Sequence, residues 1–158
     1  LREAKLGPEH PETLQALHDL GVLLAVAGKH EEASPLLRRA WEARAASLGP
    51  THDDSLASSS ALVMSLMAVG RHEEAEPVLR ATAEGREATL GPMHHETLAS
   101  LDDQAALLQA LGRAPEAEQA LRTALERREE SLGRGHPEAL RSLEGLAQQL
   151  LETGRPAE

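Results

Sequence analysis

The amino-acid sequence predicts an all-α solenoid of stacked antiparallel helix hairpins, and three observations carry that prediction. Leu-Gly pairs begin at residues 6, 48, 90 and 132, a constant step of 42. A second set of glycines, Gly28, Gly70, Gly112 and Gly154, recurs on the same period. Between these stops the apolar residues follow a three-and-four spacing, the mark of one helical face. A fixed period of this size identifies a repeat array, in which each unit is too small to bury its apolar face alone and neighbours complete the core.

Taken in order, Leu1 to Lys5 reads as the last turn of a helix, because Arg2 falls one period before Arg44, Arg86 and Arg128. Leu6-Gly7-Pro8-Glu9-His10 then recurs as Leu48-Gly49-Pro50-Thr51-His52, Leu90-Gly91-Pro92-Met93-His94 and Leu132-Gly133-Arg134-Gly135-His136. Each copy is punctuation: the glycine is expected in a left-handed cap, and proline beyond it cannot continue a helix. The first complete unit opens at His10-Pro11-Glu12-Thr13-Leu14. Proline suits the first helical position, and acidic residues suit the positive end of the helix dipole. Leu14, Leu17, Leu20, Gly21 and Leu24 form its apolar face, and Gly28 closes it. A second helix is expected from about His30 to Leu48, burying Ala33, Leu36, Leu37, Ala40 and Leu48. Its counterparts bury Ala75, Val78, Leu79 and Leu90, then Ala117, Ala120, Leu121, Ala124 and Leu132. A final helix spans Pro137 to Glu152. The expected organisation is thus one repeat domain over 1–158, with a stub at 1–5, repeats at 6–47, 48–89 and 90–131, and an incomplete repeat at 132–158. On the last helix Leu140, Leu143, Leu146 and Leu150 would lack a covering helix. Exposed apolar patches of that kind promote association, so end-to-end self-association is expected.

Composition narrows the function classes. The net charge of -10 argues against nucleic acid and anionic membrane surfaces, both of which need a basic face. There is no Cys, so neither a disulfide framework nor a thiolate metal site is available. The longest apolar run, Val22 to Ala27, is far below the ~20 residues of a membrane span. With no signal peptide visible, a cytoplasmic location is the default. The aromatic content is one Trp with no Phe or Tyr, so the core must be built from Leu and Ala. Trp41, on the second helix, is expected to fill the core or an inter-repeat space.

Residues that could carry chemistry give no catalytic constellation. His10, His52, His94 and His136 occur one per repeat, too far apart to share a metal at a bond length of about 2 Å, and a role ordering the turn or capping the helix is expected. His30-Glu31-Glu32 and His72-Glu73-Glu74 lack the His-Glu-x-x-His spacing of a zinc protease. Asp102 and Asp103 are adjacent on a helix and point apart, which rules out a close acid–base pair. Ser58-Ser59-Ser60 has no nucleophile motif around it, and the glycines end helices instead of cradling phosphate. The expectation is a non-enzyme with no cofactor and no metal.

Leu17-x-x-Leu20-Gly21-x-x-Leu24 followed by Ala33-x-x-x-Leu37 resembles the tetratricopeptide signature, with Leu in place of its aromatic residues. The usual unit is ~34 residues. The 42-residue period, with Leu-Gly-Pro-x-His-Pro-Glu-Thr-Leu between units, resembles the longer kinesin-light-chain type, whose helices are about one turn longer. The resemblance implies a right-handed superhelix whose first helices line a concave groove. It places Gln15, His18, Asp19, Val22 and Val26 there, then Ala57, Ser60, Ala61, Met64 and Met67, then Ala99, Asp102, Asp103 and Ala106, then Arg141, Glu144 and Gln148. Where kinesin-light-chain units carry Asn-Asn, this chain has His18-Asp19, Ser60-Ala61, Asp102-Asp103 and Glu144-Gly145. The implied groove has an apolar floor near Val22, Met64 and Met67 and carboxylates at Asp19, Asp102, Asp103 and Glu144. Such a groove fits a protein or peptide segment with a hydrophobic anchor beside Lys or Arg. The implied function is a protein–protein interaction scaffold. The alternatives are a regulatory or sensor segment of a larger signalling protein and a self-assembling structural array.

Overall fold

The computed structural model describes residues 7–154, and every regular element among them is α-helical. In chain order these are α1 (Pro11–Val26), α2 (His30–Leu48), α3 (Asp53–Ala68), α4 (His72–Leu90), α5 (His95–Ala110), α6 (Ala114–Leu132) and α7 (Pro137–Glu152). The expected stub at 1–5 lies outside the described residues. First helices (α1, α3, α5, α7) have 16 residues and second helices (α2, α4, α6) have 19. The chain is an all-α repeat solenoid in class, and it divides into two compact units, one ending at Gly85 and the other beginning at Arg86, with α4 running through the division.

Each first helix starts in the same way. His10, His52, His94 and His136 occupy the N-cap in extended backbone, and their Nδ1 atoms accept the N–H of Glu12, Asp54, Glu96 and Glu138 at 3.2 to 3.3 Å. The repeated histidine therefore does the job of the usual Ser or Asp cap, satisfying one orphan donor of the first turn. The turns into the second helices follow from glycine. Gly28, Gly70 and Gly112 sit at φ 77°, 74° and 72°. The next residue's N–H then reaches back five positions, as from Lys29 to Leu24 at 2.8 Å, Arg71 to Leu66 at 2.9 Å and Arg113 to Leu108 at 2.8 Å. This is the Schellman closure, which needs a left-handed residue that only glycine adopts without strain.

The Leu-Gly glycines behave differently from expectation. Gly49 has φ 99° and ψ 153°, an extended mirror conformation, not a left-handed helical cap. Proline after Gly49 disfavours helical ψ in the residue before it. Gly133 adopts φ 89° and ψ 154° ahead of Arg134, so the path of the chain imposes the same conformation without proline.

In the first unit, Leu14, Ala33, Leu37, Ala40, Leu56, Leu62, Val63, Leu66, Ala75, Val78 and Leu79 form the core. In the second, Ala105, Ala117, Leu121, Leu146 and Leu150 cluster, with Leu108, Ala120 and Leu125 against them. Several expected core positions are not there. Leu48, Leu90 and Leu132 are exposed, because each ends its helix at the turn, beyond the reach of the neighbouring hairpin. Leu20 is exposed although Leu62 and Leu146, its equivalents, are buried; those lie in first helices that have a preceding second helix among the described residues. Trp41 is half-buried, so it is not a core filler. On α7, Leu146 and Leu150 are buried against α6, which leaves Leu140 and Leu143, joined by Leu151, as the exposed apolar side chains.

Of the glycines inside helices, Gly21 marks the closest approach and Gly145 the loosest. A Cβ on Gly21 would stand 2.6 Å from Cγ of the fully buried Leu37, whereas one on Gly145 would meet Leu121 at an ordinary 3.6 Å. Helix propensity alone favours Ala over Gly by about 1 kcal/mol. Gly145→Ala should therefore stabilise the chain by up to about 1 kcal/mol, while Gly21→Ala should destabilise it by about 1 to 2 kcal/mol through overpacking. Urea unfolding of the two variants beside the parent checks the opposite signs; a stabilised Gly21→Ala would contradict the packing described.

Candidate partner-binding surface

The surface of the first helices is organised from beneath by arginines. Arg44 and Arg128 project from second helices and are only 3% and 6% exposed. Nη1 of Arg44 donates to Ser58 Oγ at 2.7 Å, and Nη2 donates to Gln15 Oε1 at 2.6 Å. Arg86 Nη1 donates to Ser100 Oγ at 2.7 Å, and its Nε lies 3.4 Å from a Glu96 carboxylate oxygen. Arg128 donates to Ser142 Oγ at 2.5 Å and grips both carboxylate oxygens of Asp102, at 2.9 and 2.5 Å. Each arginine thus reaches a serine 14 residues on, in the next first helix. The sequence signal was the common period of 42 in Arg44, Arg86, Arg128 and in Ser58, Ser100, Ser142, which marks structure shared by every repeat but not its depth.

The predicted site residues divide by unit. In the first unit Gln15 bridges Arg44 and Asp19, to which its Nε2 donates at 2.7 Å. His18 is half-buried, with Nδ1 3.2 Å from Ser58 Oγ. Val22, Ser60 and Met67 are half-buried, and Ser60 Oγ donates to the Leu56 carbonyl at 2.8 Å. Met64 is 71% exposed. A cavity of about 600 Å³ opens beside Arg44, lined also by Leu14, Gln15, Leu48, His52 and Asp54. In the second unit Asp102 and Arg141 border a cavity of about 370 Å³ with His95, Arg128, Glu138 and Ser142. Asp103, Arg141 and Glu144 are exposed.

The electrostatics are less acidic than the residue count implies. Asp102 already neutralises Arg128, which leaves Asp19, Asp103 and Glu144 as the carboxylates available to a partner. Asp103 is accessible to water yet crowded by protein. Partial desolvation lifts its carboxyl above the usual 3.8, Asp102 adds to the rise and Arg86 opposes it. The His18 imidazole is held below 6.5, first by desolvation and then by Arg44, with Asp19 and Asp54 pulling the other way. No group of three or more His, Cys, Asp or Glu among the described residues could hold a metal ion, and no helix among them is long and apolar enough to cross a membrane.

Repeated helical hairpins with side-chain-lined first helices define a class of proteins, and comparison with known proteins places the chain within it. Models of the tetratricopeptide repeat match residues 54–130 and 99–158, and a further one matches 13–54. The chain belongs to the tetratricopeptide repeat family. A kinesin light chain-like protein of Podosopora anserina with nearly identical TPR-like repeats is similar to it in two crystal structures. In a single-substitution form of that protein the TM-score is 0.89 at 29% identity, over 98% of this chain and 73% of that one. In the other the TM-score is 0.77 at 30% identity, over 93% and 70%. BtubC (BKLC) from P. vanneervenii shares the fold, with a TM-score of 0.81 at 16% identity over 91% of this chain and 57% of that one. No curated protein matches the sequence. The repeats are therefore of the kinesin-light-chain-like type, and tetratricopeptide repeats generally mediate protein–protein interaction.

Two outcomes follow from the site geometry. Removing Arg128 strips Asp102 and Ser142 of their donor, so Arg128→Ala should cost about 2 to 3 kcal/mol, at the lower end for a buried pair because Asp102 is partly open to water. Arg44→Ala should cost about 1 to 2 kcal/mol, since its partners Gln15 and Ser58 are neutral. Urea unfolding ranks them, and an equal or reversed order would refute the account. The pH dependences of His18 and Asp103 share a sign of shift toward the neutral form but act in different windows. The unfolded chain protonates His18 more readily than the folded one, so stability falls as pH drops below 6.5, and His18→Asn should flatten that slope. Folded Asp103 holds its proton to higher pH than the unfolded chain, so stability is lost as pH rises above 3.8 through its folded value. Asp103→Asn should therefore be more stable than the parent at pH 7. Unfolding measured between pH 4 and 8 tests both.

Proposed function

We propose that the chain is a non-catalytic protein-interaction module that binds an extended or helical segment of a partner protein along its first-helix face, without cofactor, metal, nucleic acid or membrane. The observation that carries this reading is the division of labour on those helices. Ser58, Ser100 and Ser142 anchor them from below to arginines of the second helices, while Asp19, Val22, Met64, Asp103, Arg141 and Glu144 remain accessible. A surface fixed in advance loses little conformational freedom on binding, so affinity is not consumed in ordering the receptor. In the first unit the binding residues are Gln15, His18, Asp19, Val22, Ser60, Met64 and Met67. In the second they are Asp102, Asp103, Arg141 and Glu144, with Asp102 acting through its pairing to Arg128. The favoured ligand chemistry is an apolar side chain seated near Met64 and Val22 and flanked by Lys or Arg facing Asp19.

The test is capture of partner proteins by the parent chain and by Asp19→Lys and Met64→Glu variants, neither of which removes a buried contact. Captured protein should fall at least fivefold in each variant, and affinity for the identified segment should weaken as salt rises from 50 to 500 mM. Capture unchanged in both variants, or an affinity indifferent to salt, would overturn the reading.

A further inference from the structure

Each of the two units holds a cavity at the same place. Two periods separate Pro11, Gln15, Arg44 and Asp54, which line the first cavity, from His95, Ala99, Arg128 and Glu138, which line the second. Both spaces lie between successive first helices, beside the buried arginine of the second helix that separates them. The cavity of the first unit stays open although α4 follows α3, so a following hairpin does not close such a space.

One exchange sets the second cavity apart. In the first unit an amide of the chain itself occupies this place: Gln15 Oε1 accepts from Arg44 Nη2 at 2.6 Å, and Gln15 Nε2 donates to Asp19 at 2.7 Å. In the second unit Ala99 stands in place of Gln15, and Gly145 in place of Ala61. Side-chain volume is therefore missing beside Leu121, leaving a space of about 370 Å³. Asp102 takes over part of the amide's work by pairing with both Nη atoms of Arg128, and Ser142 takes a third N–H. A guanidinium has five N–H groups. Those on Nε and at the second position of Nη2 have no acceptor among the described residues, although Arg128 is only 6% exposed. We propose that this cavity seats a glutamine side chain of the bound partner segment, its carbonyl accepting from Arg128 as Gln15 accepts from Arg44, and its N–H donating to Glu138. The proposal rests on the first-helix face being the partner surface. Asp102 and Glu138 stand against Arg128 and Arg141 in the lining, so the walls balance in charge and favour a neutral occupant. Methionine, of similar length, would leave the Arg128 donor and the Glu138 oxygens without partners, and glutamate would set one carboxylate against another. A site built to hydrogen-bond rejects such isosteres, because its own polar groups are left unpaired.

The probe is the peptide acetyl-Ala-Gln-Ala-amide, titrated into the isotope-labelled full chain and read by backbone amide shifts, with Met or Glu at its central position as controls. The glutamine peptide should shift Ala99, Leu121 and Gly145 saturably, and the Met and Glu peptides should bind at least fivefold more weakly. Ala99→Gln, at an exposed position, puts the chain's own amide into the space and should weaken the glutamine peptide at least tenfold. Asp19→Lys, in the other unit, should leave it unchanged. No saturable shift, a Met or Glu peptide as tight as the glutamine one, or undiminished binding by Ala99→Gln would overturn the proposal. The peptide is titrated without any partner protein, so its failure would leave partner capture standing, and lost capture with peptide binding intact would count against the surface reading alone.

Discussion

A guanidinium set beneath the first helices, buried at Arg44 and Arg128 and half-buried at Arg86, is the constraint on which the rest of the structure depends. Taking a charge out of water is costly unless its donors are satisfied, and a guanidinium has five N–H groups in a rigid fork. Both Nη atoms of Arg44 are engaged, by Gln15 and Ser58, and both of Arg128, by Asp102 and Ser142. Both sets of partners come from two different first helices, one before and one after the helix that carries the arginine. The same interaction that closes a hairpin therefore also fixes its successor. Leucine and alanine supply most of the burial, but apolar contact is non-directional; the arginine fork gives the stacking its register.

That arrangement shapes the partner-binding surface as well. The residue three positions beyond Gln15 is His18, and its counterparts are Ser60 and Asp102. Over Arg128 the carboxylate is held by the arginine and lost to any ligand. Over Arg44 the imidazole is held toward its neutral form by desolvation and by the arginine, which leaves Asp19 as the charged group beside it. A sequence with many carboxylates on one face thus presents fewer free negative charges than it contains. Charge and apolar contact fall on separate side chains, Asp19 and Asp103 on one hand, Met64 and Val22 on the other.

The repeat also explains where apolar surface stays open. A first helix has two faces to bury, one toward its own second helix and one toward the preceding hairpin. Leu20 on α1 and Leu140 on α7 are the same residue type as their buried equivalents and differ in having no helix over that face among the described residues. Burial in a repeat array belongs to the pair of adjacent helices, and identical side chains take opposite environments according to what stands next to them.

Much of the local structure was determined by the sequence alone, because it depends on interactions within a few residues. The glycines on a 42-residue period, the prolines beside them and the three-and-four apolar spacing set seven helices, and α2 and α7 run over the residues expected for them. The turn-ordering role expected of His10, His52, His94 and His136 is the N-cap they form, since a cap bridges only two positions. The candidate surface was legible as a set of positions, through resemblance to a family, but its energetics were not. That Arg128 disarms Asp102 across 26 residues, that Arg44 is buried while Leu48 four residues later is exposed, and that Trp41 is only half-buried were decided by tertiary structure. Periodicity reports which residues share a face. Whether a face meets another helix, a charge or water depends on contacts between residues far apart in the chain, and only the packed array fixes those.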